Sequence, residues 1–467
     1  MQDTIFREYD IRGKIDSEFN IEQTYNLTRA IISYLKSKNP TLKTVVVGMD
    51  GRLSSPIIKE HINAALCDYG LQVIFIGICP SPVLYFALHT MNYDVGLMIT
   101  ASHNPKDYNG IKILLGTKTI WGSQIKEIGA FYKEKKFLPL AQKKGSVQEK
   151  SIIQEYITWL FEHFSSLVAM PLSLVIDCGN GTAGTVLPSL INKMRWKNVT
   201  LLCVEVDGTY PHHEADPTVA KNMIEVKEML ATTPAVFGAG LDGDCDRMGA
   251  MTKSGFLVPG DQLLALFVQD IIKNNPETSV VFDIKASLGL LELLEKWHVK
   301  GIMCPCGHAI IKECMDESNA AIGGELSCHF FFNDRHFGYD DGIYALLRLI
   351  EIIHKTQKPL DELIKIFPKK YSSPEIRLET SHDIRQTIIE QLKKAFEKQK
   401  DVQISTIDGI RVTLPYGWGN VRSSNTQPVL SMRFEGNSAS DLVRIKMDFI
   451  ALLIPFFNED YLKKVIL

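Results

Sequence analysis

A strand–helix unit recurs three times in roughly the first 370 residues, and each copy runs into a loop of different chemistry. The units open on short β-branched runs ending in Asp: Thr44–Asp50, Leu174–Asp177 and Val280–Asp283. A helical pattern and a second apolar run follow each: Leu71–Ile76, Val199–Val206 and Val299–Met303. A third run, Val95–Ile99, Ala235–Leu241 or Ala320–Ile322, then enters a polar motif. These motifs are Thr100-Ala101-Ser102-His103-Asn104-Pro105, Asp242-Gly243-Asp244-Cys245-Asp246-Arg247 and Gly323-Gly324-Glu325-Leu326-Ser327-Cys328-His329. Strands alternating with helices at this spacing predict parallel α/β units. Ligands of such sheets bind outside the carboxyl ends of the strands, which puts Ser102, Asp242 and Glu325 at functional edges.

From about residue 370 the pattern changes. A charged helical stretch, Asp383–Lys400, precedes two strand-like runs, Gly409–Leu414 and Val429–Phe434, with a loop between them. This predicts a smaller α+β domain. The expected division is 1–150, 151–253, 254–368 and 369–467, with Lys355–Asp361 as the hinge approach to the tail. The net charge of −3 points to neither nucleic acid nor an anionic membrane. No apolar stretch reaches the roughly 18 residues of a membrane span, and the start lacks a signal-peptide layout. Nine scattered cysteines read as reduced thiols of a cytoplasmic protein.

Ser102 is a hydroxyl at a strand end, a weak nucleophile until it is oriented and its charge offset. From Ser102 alone the turn reading, a capping serine before Asn-Pro, is the better one; its neighbours reverse that. His103 stands beside it, and Asp107-Tyr108-Asn109-Gly110-Ile111-Lys112 brings a lysine one strand-turn later. Asp242, Asp244 and Asp246 can converge on one hard cation. An EF-hand is excluded, because Arg247 and Lys253 stand where it needs Gly and Glu. Mg²⁺ is the expected ion, with Arg247 a fork for the same phosphate. Glu325, Ser327 and His329 alternate, so an extended loop would show them on one face, matching vicinal sugar hydroxyls. Gly307-His308 follows another strand end and offers a proton carrier. Arg422-Ser423-Ser424-Asn425-Thr426-Gln427-Pro428 concentrates donors in a phosphate clamp between the tail strands. Arg12, in Phe6-Arg7-Glu8-Tyr9-Asp10-Ile11-Arg12-Gly13, is a candidate to reach the reacting phosphate. No G-x-x-x-x-G-K-[ST] run marks an ATP-dependent kinase.

With these residues in hand, the chain resembles the α-D-phosphohexomutase family, closest to its bacterial phosphomannomutase/phosphoglucomutase branch. FREYDIRG, ITASHNP, NGIK, GLDGDCDR, GGELSCH and RSSNTQP carry the resemblance along the whole chain, in order. It implies four domains around a central cleft, three mixed α/β units of βαβ type plus a smaller C-terminal α+β domain. It implies reversible conversion of mannose or glucose 1-phosphate to the 6-phosphate through a hexose 1,6-bisphosphate, with Mg²⁺ and glucose 1,6-bisphosphate as activator. Ser102 would be the phosphoserine, sharing Mg²⁺ with Asp242, Asp244 and Asp246. His103, Lys112, Arg247, Lys285, His308, His329 and Arg12 would surround the reaction. Tyr9, Gly307, His308, Glu325, Ser327, His329, Arg422, Ser424, Asn425 and Thr426 would hold the sugar phosphate. A cytoplasmic monomer or weak dimer is expected. Cys328 replaces the family's usual Gly, and Cys306 its usual Thr. Phosphoglucosamine mutase and a sugar-phosphate phosphatase are the alternatives.

Overall fold

The computed structural model describes residues 1–423 and 429–467. It divides into two compact units, Met1–Gly260 with Ser327–Ile364, and Asp261–Leu326 with Lys365–Leu467.

The first unit holds two sheets. In one, Thr44–Met49, Gln72–Ile78, Val95–Ile99 and Ser146–Glu149 run parallel, and Tyr108–Leu115 and Ile11–Lys14 extend the sheet in antiparallel fashion. Val45, Val46 and Val47 are all buried, as a strand covered on both faces requires. In the other sheet, Val199–Leu202, Leu174–Asp177 and Phe237–Leu241 are parallel, and Met248–Thr252 turns back beside the last. The expected parallel units are therefore mixed sheets. Few residues separate Val95–Ile99 from Tyr108–Leu115, or Phe237–Leu241 from Met248–Thr252. A parallel crossover needs a dozen or more, so each chain reverses, and each reversal is one of the motif loops.

The second unit places Lys300–Cys304, Ser279–Asp283 and Ile322–Gly324 in parallel, with helices Leu288–Lys296 and His308–Ser318 between them in sequence. Its tail is an antiparallel sheet of Gln403–Ser405, Ile410–Leu414, Gly417–Ser423 and Val429–Gly436, with Tyr371–Ser372 and Ile376–Glu379 on the last strand. Helices His382–Phe396 and Ala439–Leu453 pack on it. The strand Gly417–Ser423 corrects the sequence reading of a loop there: Arg422 stands on a strand, not in a turn. The glycines of this strand make room for a helix. A Cβ on Gly419 would lie 2.5 Å from the Phe449 ring. Gly419→Ala is expected to destabilise the tail by about 1–3 kcal/mol, the usual overpacking cost, read as a lower denaturation midpoint of tail Trp418 fluorescence.

Cys304, at a strand end, lies with its sulfur beside that of Cys314 in the following helix, while the other seven cysteines are free thiols. The strand–helix turn folds the two positions together, a proximity that spacing alone does not reveal. Among the described residues, no helix is long and apolar enough to cross a membrane.

Candidate active site

In the first unit, Ser102 adopts a left-handed backbone, φ +50°, at the turn after Val95–Ile99. Its hydroxyl donates to Asp242 Oδ2 at 2.8 Å and lies 3.1 Å from His103 Nδ1. Its backbone N–H is held by Thr100 Oγ1. Burial, then the charges of Arg247 and Arg12, push the His103 imidazole well below its ordinary value.

Arg52, absent from the sequence reading, fixes this loop. Its Nε binds Asp50 at 3.0 Å, and its two NH₂ groups donate to the carbonyls of Ser102, Asn104, Pro105 and Tyr108 at 2.6–3.0 Å. All five guanidinium N–H bonds are used, and the side chain is buried. Arg12 adds bonds to Ala101 O, Asn104 Oδ1 and Asp10. Tyr9 is half-buried in the bend before this strand.

Asp242, Asp244 and Asp246 are buried, with ligand oxygens within 4.8 Å of one another. Gly243 allows the close approach, since a Cβ there would meet Ser102 O at 2.7 Å. Burial, then Asp246 and Asp244, push the Asp242 carboxyl well up. Lys112 Nζ bridges Asp244 and Asp246 at 2.6 and 2.5 Å. Burial opposes the Lys112 charge, but these carboxylates outweigh it and hold the ammonium. Ser81 also donates to Asp244 at 2.6 Å. Asp244 Oδ1 and Asp246 Oδ1 are buried without a hydrogen-bond partner. Three crowded carboxylates with spare oxygens suit a hard cation such as Mg²⁺.

Arg247 and His329 form an isolated antiparallel bridge. Arg247 Nε donates to His329 Nε2 at 2.9 Å, and His329 Nδ1 faces Asp340 at 3.1 Å and Asp246 at 3.5 Å. Asp340, fully buried, is a second partner that sequence distance hid.

The second unit gathers a separate set. Asp283 accepts from the backbone of Lys285 and of Leu326. Lys285 Nζ is 3.3 Å from Glu375. Burial opposes its charge, but Cys306, Glu375 and Asp283 hold it protonated. Lys285, despite burial, lowers Glu375 to about 2. Gly307, φ +134°, precedes helix His308–Ser318 and donates to Glu325 Oε1 at 2.8 Å. His308 is buried at the first helical position. Cys306 N and Arg422 Nε both bond Asp408. Ser424, Asn425 and Thr426 lie outside the described residues. The predicted extended alternation of Glu325, Ser327 and His329 fails: residues 326–327 form a turn, Ser327 is half-buried, and Cys328 sits at φ +65°. That left-handed position explains the Gly usual there.

Mixed α/β sheets whose reversal loops present a serine and a carboxylate trio define an enzyme of the phosphohexomutase class, an isomerase. Models of the phosphoglucomutase/phosphomannomutase family match it throughout: alpha/beta/alpha domain I on residues 3–139, domain II on 154–255, domain III on 259–371 and the C-terminal domain on 375–452. The chain belongs to this family. It is 39% identical to a phosphomannomutase/phosphoglucomutase of Pseudomonas syringae pv. tomato, over 97% of this chain and 96% of that one. It is 37% identical to a phosphoglucomutase of Neisseria meningitidis serogroup A, over 96% of each. A solved phosphoglucomutase/phosphomannomutase family protein from Burkholderia thailandensis superposes with TM-score 0.88 at 32% identity, covering 97% of this chain and 98% of that one.

Proposed function

We propose that this enzyme interconverts mannose or glucose 1-phosphate with the matching 6-phosphate, through phosphorylated Ser102 and a hexose 1,6-bisphosphate. The carrying observation is the Ser102 hydroxyl, turned out by a strained backbone onto Asp242 of the carboxylate trio. Asp242, Asp244, Asp246 and a phosphoserine oxygen would hold Mg²⁺. Bound there, Mg²⁺ supplies charge stabilisation on the phosphoryl oxygens.

The free sugar hydroxyl attacks the phosphorus on Ser102 in line. The new O–P bond forms as the Ser102 Oγ–P bond breaks, with Arg247 and Lys112 offsetting oxygen charge. We assign the hydroxyl proton to His329 Nε2, whose lone pair, occupied here by Arg247 Nε–H, is freed as Arg247 turns to the phosphoryl oxygens; Lys112 is held as a cation and donates instead. Asp340 orients the ring through Nδ1. As the Oγ–P bond breaks, the proton taken up by His329 is returned to Ser102 Oγ, whose hydroxyl then rests in its hydrogen bond to Asp242. The bisphosphate then turns end over end, and the reverse transfer releases product. Glu325 and Ser327 read sugar hydroxyls, Lys285 and His308 attend the transferring end, and Arg422, Ser424, Asn425 and Thr426 clamp the distal phosphate. The working division is four domains at 1–150, 151–253, 254–368 and 369–467, in a cytoplasmic monomer or weak dimer.

The test is a mutase assay on both 1-phosphates with Mg²⁺ and trace glucose 1,6-bisphosphate. Formation of either 6-phosphate supports the reading. Release of inorganic phosphate alone, or turnover of glucosamine phosphate alone, overturns it. His329→Gln is expected to lower kcat about a hundredfold or more, with KM little changed in the same assay.

A further inference from the structure

A second group of metal-ligand chemistry stands apart from the serine and its carboxylates. Asp177, the last residue of Leu174–Asp177, is buried. Its Oδ1 accepts from Gly179 N–H at 2.8 Å, leaving Oδ2 aimed at His213 Nε2, 2.9 Å away. The same nitrogen is 3.9 Å from Cys203 Sγ. His213 Nδ1 is 2.9 Å from the Glu214 carbonyl, which can only accept, so Nδ1 carries its proton toward that carbonyl. Nε2–H donates to the carboxylate, which with the Cys203 sulfur raises the imidazole to about 11, so a metal ion at this place stands in for that proton. Fixing one nitrogen on a backbone carbonyl is the usual support of a metal-binding histidine.

The Nε2 proton serves the Asp177 carboxylate alone at close hydrogen-bond distance. A cation serves three ligand atoms. Zn–S and Zn–N bonds of about 2.3 and 2.0 Å reach beyond the 3.9 Å separation, so one ion spans it at an open angle. His212 and Glu225 also bring ligand atoms within 4.8 Å of the same sulfur, a source for a fourth ligand. Thiolate and imidazole favour a borderline-soft ion over Mg²⁺.

We propose that Asp177, Cys203 and His213 form a site for a soft divalent cation, Zn²⁺ foremost, that pins the loop 203–219 to its sheet. This loop carries no helix or strand, and a connection of such length is commonly a functional one. It bears Tyr210, whose ring lies 5.4 Å from the Arg52 guanidinium and whose hydroxyl crowds Gly243. The cation would thus anchor a wall of the phosphoserine and aspartate loops without touching the reacting atoms.

The full chain, stripped with chelator, is titrated with Co²⁺ alone and followed by absorption. A thiolate-to-cobalt charge-transfer band saturating at one equivalent, displaced by Zn²⁺ and lost in Cys203→Ser, is the expected result. The aspartate trio contributes no sulfur to that signal. His213→Gln should weaken Co²⁺ binding at least about tenfold. A second readout needs no variant: Zn²⁺ should slow alkylation of Cys203 in the wild-type chain about tenfold or more while half-buried Cys67 is unaffected. No band at stoichiometric Co²⁺, a band that survives Cys203→Ser, or equal alkylation rates with and without Zn²⁺ would overturn the site.

Discussion

Ser102→Ala is expected to lower mutase turnover by about four orders of magnitude or more, the scale seen when a covalent nucleophile is removed. Among the described residues no other hydroxyl stands on Asp242 in its place: Ser81 is spent on Asp244. The fold should survive, because alanine keeps the backbone and gives up one hydrogen bond, a loss of about 1 kcal/mol. Steady-state turnover, the denaturation midpoint and transfer of ³²P from labelled glucose 1,6-bisphosphate check this together. The variant should melt like wild type and carry no label. Turnover near the wild-type rate would rule out a phosphoserine pathway at this position.

Arg52→Met should damage both stability and catalysis. The substitution leaves the Asp50 carboxylate buried without its cation and strands the carbonyls of Ser102, Asn104, Pro105 and Tyr108. Breaking one side of a buried ion pair costs about 3–5 kcal/mol, and the freed loop no longer holds Ser102 at its left-handed angle. We expect a lower denaturation midpoint and turnover reduced about a hundredfold or more, since a small misplacement of reacting groups costs that much. Arg52→Lys should recover part of the stability through Asp50 but little turnover, because an ammonium has three N–H bonds and cannot span four carbonyls. Full activity in Arg52→Lys would show that the loop keeps its shape without the clamp.

The sequence made the strand ends legible because apolar runs and chemical motifs alternate. Ser102, Asp242, Asp244 and Asp246 were found by that rule and lie together. What it hid were partners chosen by tertiary approach. Arg52 follows an ordinary Asp-Gly turn, and its bonds go to carbonyls, which leave no mark on the side chains they belong to. Asp340, Asp408 and Glu375 orient His329, Arg422 and Lys285 from distant segments. The strand Gly417–Ser423 escapes notice because the polar run from Arg422 reads as one loop reaching back to Leu414. The alternation of Glu325 and His329 was real in sequence, but one left-handed residue between them undid the shared face.

The bridge from Lys112 to Asp244 and Asp246 also bears on the order in which the enzyme is assembled. A pocket of three buried acids would ordinarily fold only as its ion arrives. Here the chain carries its own counter-ion, so maturation can proceed with folding first and loading afterwards. Scarcity of the cation proposed for this cradle would then leave the newly made protein idle rather than unfolded.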